Sequence, residues 1–425
     1  MSVLTKEFFM ELTDISPELI RKKKFYILVC GVITFFLTSM AKVLIPSTIF
    51  KDLQLLGMDA GRISSLGSAF LYSYAASQLM IGCFSDRYGG VRVLLIGGSL
   101  FSAGTILFPL IPANYYSLMI LARVMTGFGA GTIFLGVAKL LGDLYSEKFG
   151  IALGTVLVIS YLGPTTGTVP MVKLVETIGW KPAMILPGVV AALAMIVILT
   201  LKRGTIKPVM KGQTFAPLLV MLKSRGMLFL TLSCATVYGA YYAIVGQIGK
   251  KAMMDLFNTT SAKAAFFMMI LTIIVAANNM GGNLLLKLLG GRRKLVLMIG
   301  VIASCAGVLT AYYGFTQHCG EIFFIISGVL LAFPAGYFPM FSIVAKEMNK
   351  PEHMGMAVAY LNFMAFVFIS LYQNVAGWIL KSYPADKATL AFPVEAYTAV
   401  YLFFIVGAVV SLIAVCFVPE TRKSE

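Results

Sequence analysis

Apolar runs of about twenty residues, separated by short polar gaps, dominate the chain. They fall near residues 25–49, 62–83, 93–112, 116–141, 150–172, 182–201, 228–249, 264–286, 295–314, 322–345, 355–379 and 395–417. A helix rising about 1.5 Å per residue needs roughly 20 apolar residues to cross a hydrocarbon core about 30 Å thick. The pattern therefore predicts an all-α membrane protein with twelve transmembrane helices. The longest interior polar gap, 202–227, acts as a linker between a six-helix bundle at 25–201 and a second at 228–417. Residues 1–24 and 418–425 are the flanking segment and tail.

The two halves echo each other. "VAKLLGDLYSEKFGIALG" (137–154) is repeated as "VAKEMNKPEHMGMAVA" (344–359), each leaving one run and entering the next. "GCFSDRYGGVRVLLIGG" (82–98) is matched more loosely by "GGNLLLKLLGGRRKLVLMIG" (281–300). A repeat with an even number of spans gives two halves of the same orientation, and their interface at mid-membrane is where a transporter places its substrate.

Composition agrees. The chain is 59% hydrophobic and 12% charged, against about half and about a quarter in soluble domains. Its net charge of +16 is distributed by gap rather than concentrated in one patch. Arg21–Lys24, Arg87/Arg92, Lys202–Lys211, Lys223/Arg225, Arg292–Lys294, Lys346/Lys350 and Arg422/Lys423 lie in alternate gaps. The intervening gaps carry fewer cations, among them Lys250 and Lys251. The positive-inside rule then makes both termini cytoplasmic. The excess charge orients the chain and meets anionic lipid; nucleic acid is not an expected partner. The six cysteines suggest neither a disulfide framework nor a metal site. No phosphate-binding GxxxxGK[ST] loop occurs, so no cofactor is expected and energy should come from an ion gradient or from exchange.

In "GCFSDRYGGVRVL", Gly82, Gly89 and Gly90 permit a tight turn, with Asp86, Arg87 and Arg92 beside it. This loop resembles the signature G-x-x-x-D-R-x-G-x-[RK]-[RK] of the major facilitator superfamily, with Val91 where a basic residue is common. The resemblance implies two six-helix halves related by a pseudo-twofold axis, and a latch at Asp86 and Arg87. "ARVMTGFGAG" (122–131) is similar to the family's fourth-span pattern at Arg123, Gly127, Gly129 and Gly131. The resemblance ties Arg123 to proton coupling; by position it could equally snorkel. "YLGPTTG" (161–167) is half of a glycine-proline motif of the family's antiporters, and helix packing is favoured over export as its reason. Lys139 suits a helix C-terminus, where the macrodipole favours a cation. It also resembles the basic residue that organic-anion symporters of the family carry late in this span.

Lys42 is the sharpest chemical signal, eighteen residues into the first run. It shares a more polar stripe with Phe35, Thr38, Ser39 and Pro46, and it either snorkels or faces the interior. Beyond the N-terminal tail, every carboxylate lies in a loop or at a span end. A buried ammonium with no fixed counter-charge would be matched by an anion arriving as substrate. Tyr238, Tyr241, Tyr242, Asn278 and Asn362 could complete a binding site of rings and hydrogen bonds, although single amides also serve as ordinary interhelical bonds.

The expectation is thus a monomeric secondary carrier and not an enzyme, in a bacterial inner (plasma) membrane. It would move a small organic anion by alternating access, coupled to protons or exchange. Carriage of neutral or zwitterionic solutes, and export of amphiphiles, stand as alternatives.

Overall fold

Each predicted apolar run is largely helical, although those at 150–172 and 322–345 are each divided between two helices, as backbone polar groups require where they find no water to bond. The computed structural model describes residues 16–45, 47–205, 216–350 and 353–421, with the side chains of 81–88, 150, 161, 216–217 and 280–283 outside that description. The first half comprises α1 (Pro17–Leu44), α2 (Phe50–Leu55), α3 (Ala60–Tyr88), α4 (Gly90–Leu110), α5 (Tyr116–Leu144), α6 (Phe149–Thr166), α7 (Val169–Ile178) and α8 (Trp180–Leu201). After α9 (Ala216–Lys223), the second half comprises α10 (Arg225–Ala243), α11 (Gly249–Phe257), α12 (Ser261–Leu288), α13 (Arg293–Thr316), α14 (Glu321–Ala335), α15 (Phe338–Glu347), α16 (Met354–Lys381) and α17 (Val394–Phe417).

Among the described residues, ten helices are long and apolar enough to span a bilayer, or eleven when the bent pair α6–α7 counts as one. α3 is 29 residues long but too polar to join them; with it the count is consistent with twelve. Its Ser64, Ser68, Ser73 and Ser77 hydroxyls return to carbonyls of their own helix. That gives each donor an acceptor within its own helix, while Ser68 also reaches the second half. In α5 the glycine run lets neighbours approach: a Cβ at Gly127 or Gly131 would strike the α3 backbone, and one at Gly129 would strike α4.

Three predicted spans are redrawn. The fifth run ends as α6 at Thr166, just past Pro164, and resumes as α7 with a 47° bend. Proline removes an interior hydrogen bond and crowds the preceding turn. The tenth breaks between α14 and α15, after Pro334. The seventh does not stop at residue 249: α10 passes through a π-helical turn, Ile244–Ile248, into α11 and ends at Phe257. Lys250 and Lys251 therefore belong to a helix and are buried.

Burial is possible because Lys251 pairs with Asp255 one turn on and donates to the Leu390 carbonyl at 2.7 Å. Asp255 also accepts from the Phe392 amide at 3.0 Å and the Tyr397 hydroxyl at 2.7 Å. Removing one partner of such a pair costs about 3–5 kcal/mol, because a charge is left buried alone. Asp255→Asn should accordingly lower the Tm of the detergent-solubilised protein sharply, and an unchanged Tm would refute the assigned role.

The halves meet along α3 and α16, which run antiparallel. From the face opposite the termini inward, Asp59 pairs with Lys381 at 3.4 Å and Ser68 donates to the Ser370 carbonyl at 3.1 Å. Deeper, the Tyr74 and Phe366 rings lie 4.6 Å apart, and Asn362 bonds Gln78. The turn after α1 and the π turn add Ser47 N–H to Gly246 C=O at 3.1 Å, and Gln247 bonds Ser64 of α3. Among the described residues, polar bridges between the halves stop at Gln78–Asn362. These bonds close the far face, and the side chains of 81–88, at the terminus-side end of α3, lie outside the description.

Candidate functional site

Lys42 lies near the end of α1, half-buried, where the seam passes mid-depth. Its Nζ donates to the Tyr74 hydroxyl at 3.2 Å. It also sits 4.5 Å from the Tyr74 ring centroid and 5.4 Å from that of Phe366. Tyr74 belongs to its own half and Phe366 to the other, so the ammonium bridges the two. No described carboxylate pairs with it. A hydrogen bond to a charged group contributes about 1.5–3 kcal/mol and a ring face about 0.5–2 kcal/mol. Those terms offset part of the several kcal/mol that desolvating an ammonium costs. Of three donors, one is used among the described residues, leaving capacity for an incoming acceptor.

Beside it is a cavity of about 140 Å³, bounded by α1, α6, α10, α12, α14, α15 and α16. Tyr238, Tyr241 and Tyr242 line it, with Asn279, Asn362 and Phe366. Tyr238 is fixed edge-on to Phe338 at 5.5 Å and Tyr241 edge-on to Tyr242 at 4.9 Å. The volume is below the several hundred Å³ usual for a loaded site, so a substrate larger than a few heavy atoms requires the halves to part. Among the described residues, no charged side chain lines the cavity.

Other expected site residues lie elsewhere. Thr38 is buried and returns its hydroxyl to the Phe35 carbonyl at 2.8 Å, and Ser39 bonds Ser160 of α6 at 2.6 Å. Both belong to helix packing: the stripe on α1 splits, Lys42 turning to α3 and α16 while Ser39 turns to α6. Asn278 packs against Gly336, and its neighbour Asn279 takes the lining place. Pro46 lies outside the described residues, as do the side chains of Asp86 and Arg87. Arg92 is half-buried in the first turn of α4, and Lys139 abuts Gly90 near the end of α5.

Arg123 does not snorkel. Only 3% exposed, it donates from Nε to the Leu66 carbonyl at 3.1 Å, its guanidinium 4.8 Å from the Phe70 ring and 5.7 Å from Phe108. It lies inside the first half and away from the cavity.

Sequence reasoning passed over Phe366 and Gln247. A ring in an apolar run carries no polar signal. A lone glutamine in "AIVGQIG" could have been noticed on the same grounds as Lys42. The π turn around it frees backbone groups that need partners. Gln373 donates to the Tyr242 carbonyl at 3.1 Å, and Ser47 serves Gly246 as described.

At the far face, Asp52 on α2 is half-buried. Burial pushes its carboxyl above the ordinary range, against the opposing pull of its own backbone hydrogen bond and of Lys250 and Lys51.

Comparison with known proteins bears on this architecture. A nucleoside transporter, NupG, superposes with a TM-score of 0.70 at 15% identity, covering 93% of this chain and 98% of that one. A bacterial homologue of the human lysosomal transporter Spinster, inward-facing and unoccupied, gives 0.69 at 14% identity, covering 95% and 99%. In sequence, probable anion transporter 6, chloroplastic, of Arabidopsis thaliana is 29% identical over 157 residues, 37% of this chain and 30% of that protein. Sphingosine-1-phosphate transporter SPNS2 of Xenopus tropicalis is 26% identical over 186 residues, 40% of this chain and 35% of that protein. The chain thus spans about a third of the length of these curated relatives. Residues 27–309 and 252–425 match the sequence pattern of the Major Facilitator Superfamily. The chain is a multi-pass integral membrane protein and belongs to that superfamily.

Proposed function

We propose that the protein is a secondary active carrier of a small organic anion, working by alternating access and driven by a proton gradient or by exchange. The observation that carries this reading is the Lys42 ammonium, held between the halves by Tyr74 and the Phe366 ring with no described carboxylate beside it. Tyr238, Tyr241, Tyr242 and Asn362 would hold the substrate's uncharged part. The names of relatives, an anion transporter and a sphingosine-1-phosphate transporter, are compatible with acidic cargo. With cytoplasmic termini, a closed far face would belong to an inward-facing state. The terminus-side loop bearing Asp86, Arg87 and Arg92 would latch the halves in the opposite state, and Arg123 and Lys139 are candidates for coupling.

A second reading, carriage of a neutral solute, is favoured by the uncharged lining of the cavity. Counterflow in proteoliposomes separates the two. Labelled monocarboxylates should exchange across vesicles loaded with the same acid, whereas neutral sugars and nucleosides should not. Exchange of the neutral solutes alone would replace the first reading by the second.

A further inference from the structure

A second cavity, of about 280 Å³, lies between the halves at the far face. The first half contributes Thr48, Lys51, Asp52 and Glu176, and the second contributes Lys250 and Lys251. Lys251 is engaged by Asp255 and the Leu390 carbonyl. Lys250 is not: it is 8% exposed, and its one hydrogen bond among the described residues is a long one, 3.4 Å, to the Thr48 carbonyl. Asp52 and Glu176 are close enough to act on its charge, yet neither forms an ion pair with it. A buried ammonium with unused donors, beside a cavity it lines, calls for an acceptor.

From this we infer that the far-face cavity is a second binding site, for a small monovalent carboxylate whose anionic group lies on Lys250. The volume suits a molecule of a few heavy atoms and leaves a bare halide largely uncontacted. Asp52 and Glu176 set the charge limit. Set against Lys51 and Lys250, they tolerate one further negative charge and repel a second, so the phosphate dianion is excluded. The cavity is formed by both halves and comes apart when the far face opens, so its ligand would be captured from that side. Any role for it in loading the central cavity rests on the carrier reading above; its existence as an anion site does not.

Thermal stability of the full-length protein in detergent tests this, with sodium acetate, sodium chloride and sodium phosphate as probes at matched ionic strength. Acetate should raise Tm in the wild type beyond the chloride control, and phosphate should not. Lys250→Gln should weaken the acetate response about tenfold or more in concentration, the loss of a charge-assisted bond. The response should persist in Lys42→Gln, which separates this site from the central one. Glu176 is exposed, so Glu176→Gln should fold as the wild type does, and it should admit phosphate. No acetate response in the wild type, an equal response to chloride, or loss of the response in Lys42→Gln would overturn the proposal. So would a phosphate response that Glu176→Gln leaves unchanged, a readout that survives even if Lys250→Gln does not fold.

Discussion

Lys42→Gln abolishes concentrative uptake of organic monoanions and weakens their binding by roughly 30-fold to 1,000-fold, equivalent to about 2–4 kcal/mol. Glutamine keeps most of the side chain's length and its ability to donate to Tyr74, so packing around α1 is conserved. What disappears is the charge. In the wild type, a carboxylate that docks on Nζ neutralises an ammonium flanked by two rings and one hydroxyl. In the variant the same carboxylate must shed its water for a neutral amide, and the desolvation it pays is no longer returned. Lys42→Arg keeps the charge but spreads it over a planar fork that the Tyr74–Phe366 pocket does not match, so binding should recover only in part. Binding measured by scintillation proximity on purified protein, beside uptake in vesicles, separates loss of affinity from loss of movement. If Lys42→Gln binds and moves anions as the wild type does, the charge has no part in recognition and the neutral-solute reading gains.

Much of the fold was legible, for a physical reason. Membrane spans obey a single rule of length and apolarity, and the chain repeats that rule with clear gaps. Where the rule failed, a specific compensation was hidden. The seventh span appeared to stop at Lys250 because two adjacent lysines look like a water-facing end. The structure carries them inward on Asp255, Leu390 O and Thr48 O, partners that no local pattern announces. The fifth span carried its Gly-Pro signal openly, but only the structure shows the helix ending two residues after Pro164. In the candidate site, the sequence left Lys42 two orientations, snorkelling or interior, and the structure turns it between the halves. The partition of its stripe was not legible. Ser39 stands one turn before Lys42, yet it packs on α6, because whether a residue faces a cavity or a neighbour depends on where the next helix lies. Asn278 and Asn279 differ by one step of about 100° around the helix, and periodicity from a single run cannot choose between them.

Gly377→Val should open the far face. At Gly377 α16 closely approaches α3: a Cβ there would overlap the Ser64 side chain and lie 2.9 Å from the Ala60 carbonyl. Backbone cannot move out of the way as a flexible side chain can, so the two helices must separate. Separation also strains the Gln247–Ser64 bond from the π turn and the Asp59–Lys381 pair, which close the same face. The overpacking penalty, about 1–3 kcal/mol, falls on the closed state and not on a state in which these helices are already apart. An equilibrium biased by that amount shifts by roughly 5-fold to 150-fold. The readout is the labelling rate of Thr48→Cys, in a Cys319→Ser background, by a membrane-impermeant maleimide applied to the far side. Thr48 is 6% exposed in the closed state, so the wild-type seam should label slowly and Gly377→Val several-fold faster. Adding Ser64→Gly removes the side-chain part of the clash and leaves the Ala60 contact, so it should slow labelling part of the way back. Loss of stability without faster labelling would mean that the seam holds the halves together in every state, and that the far face opens along another line.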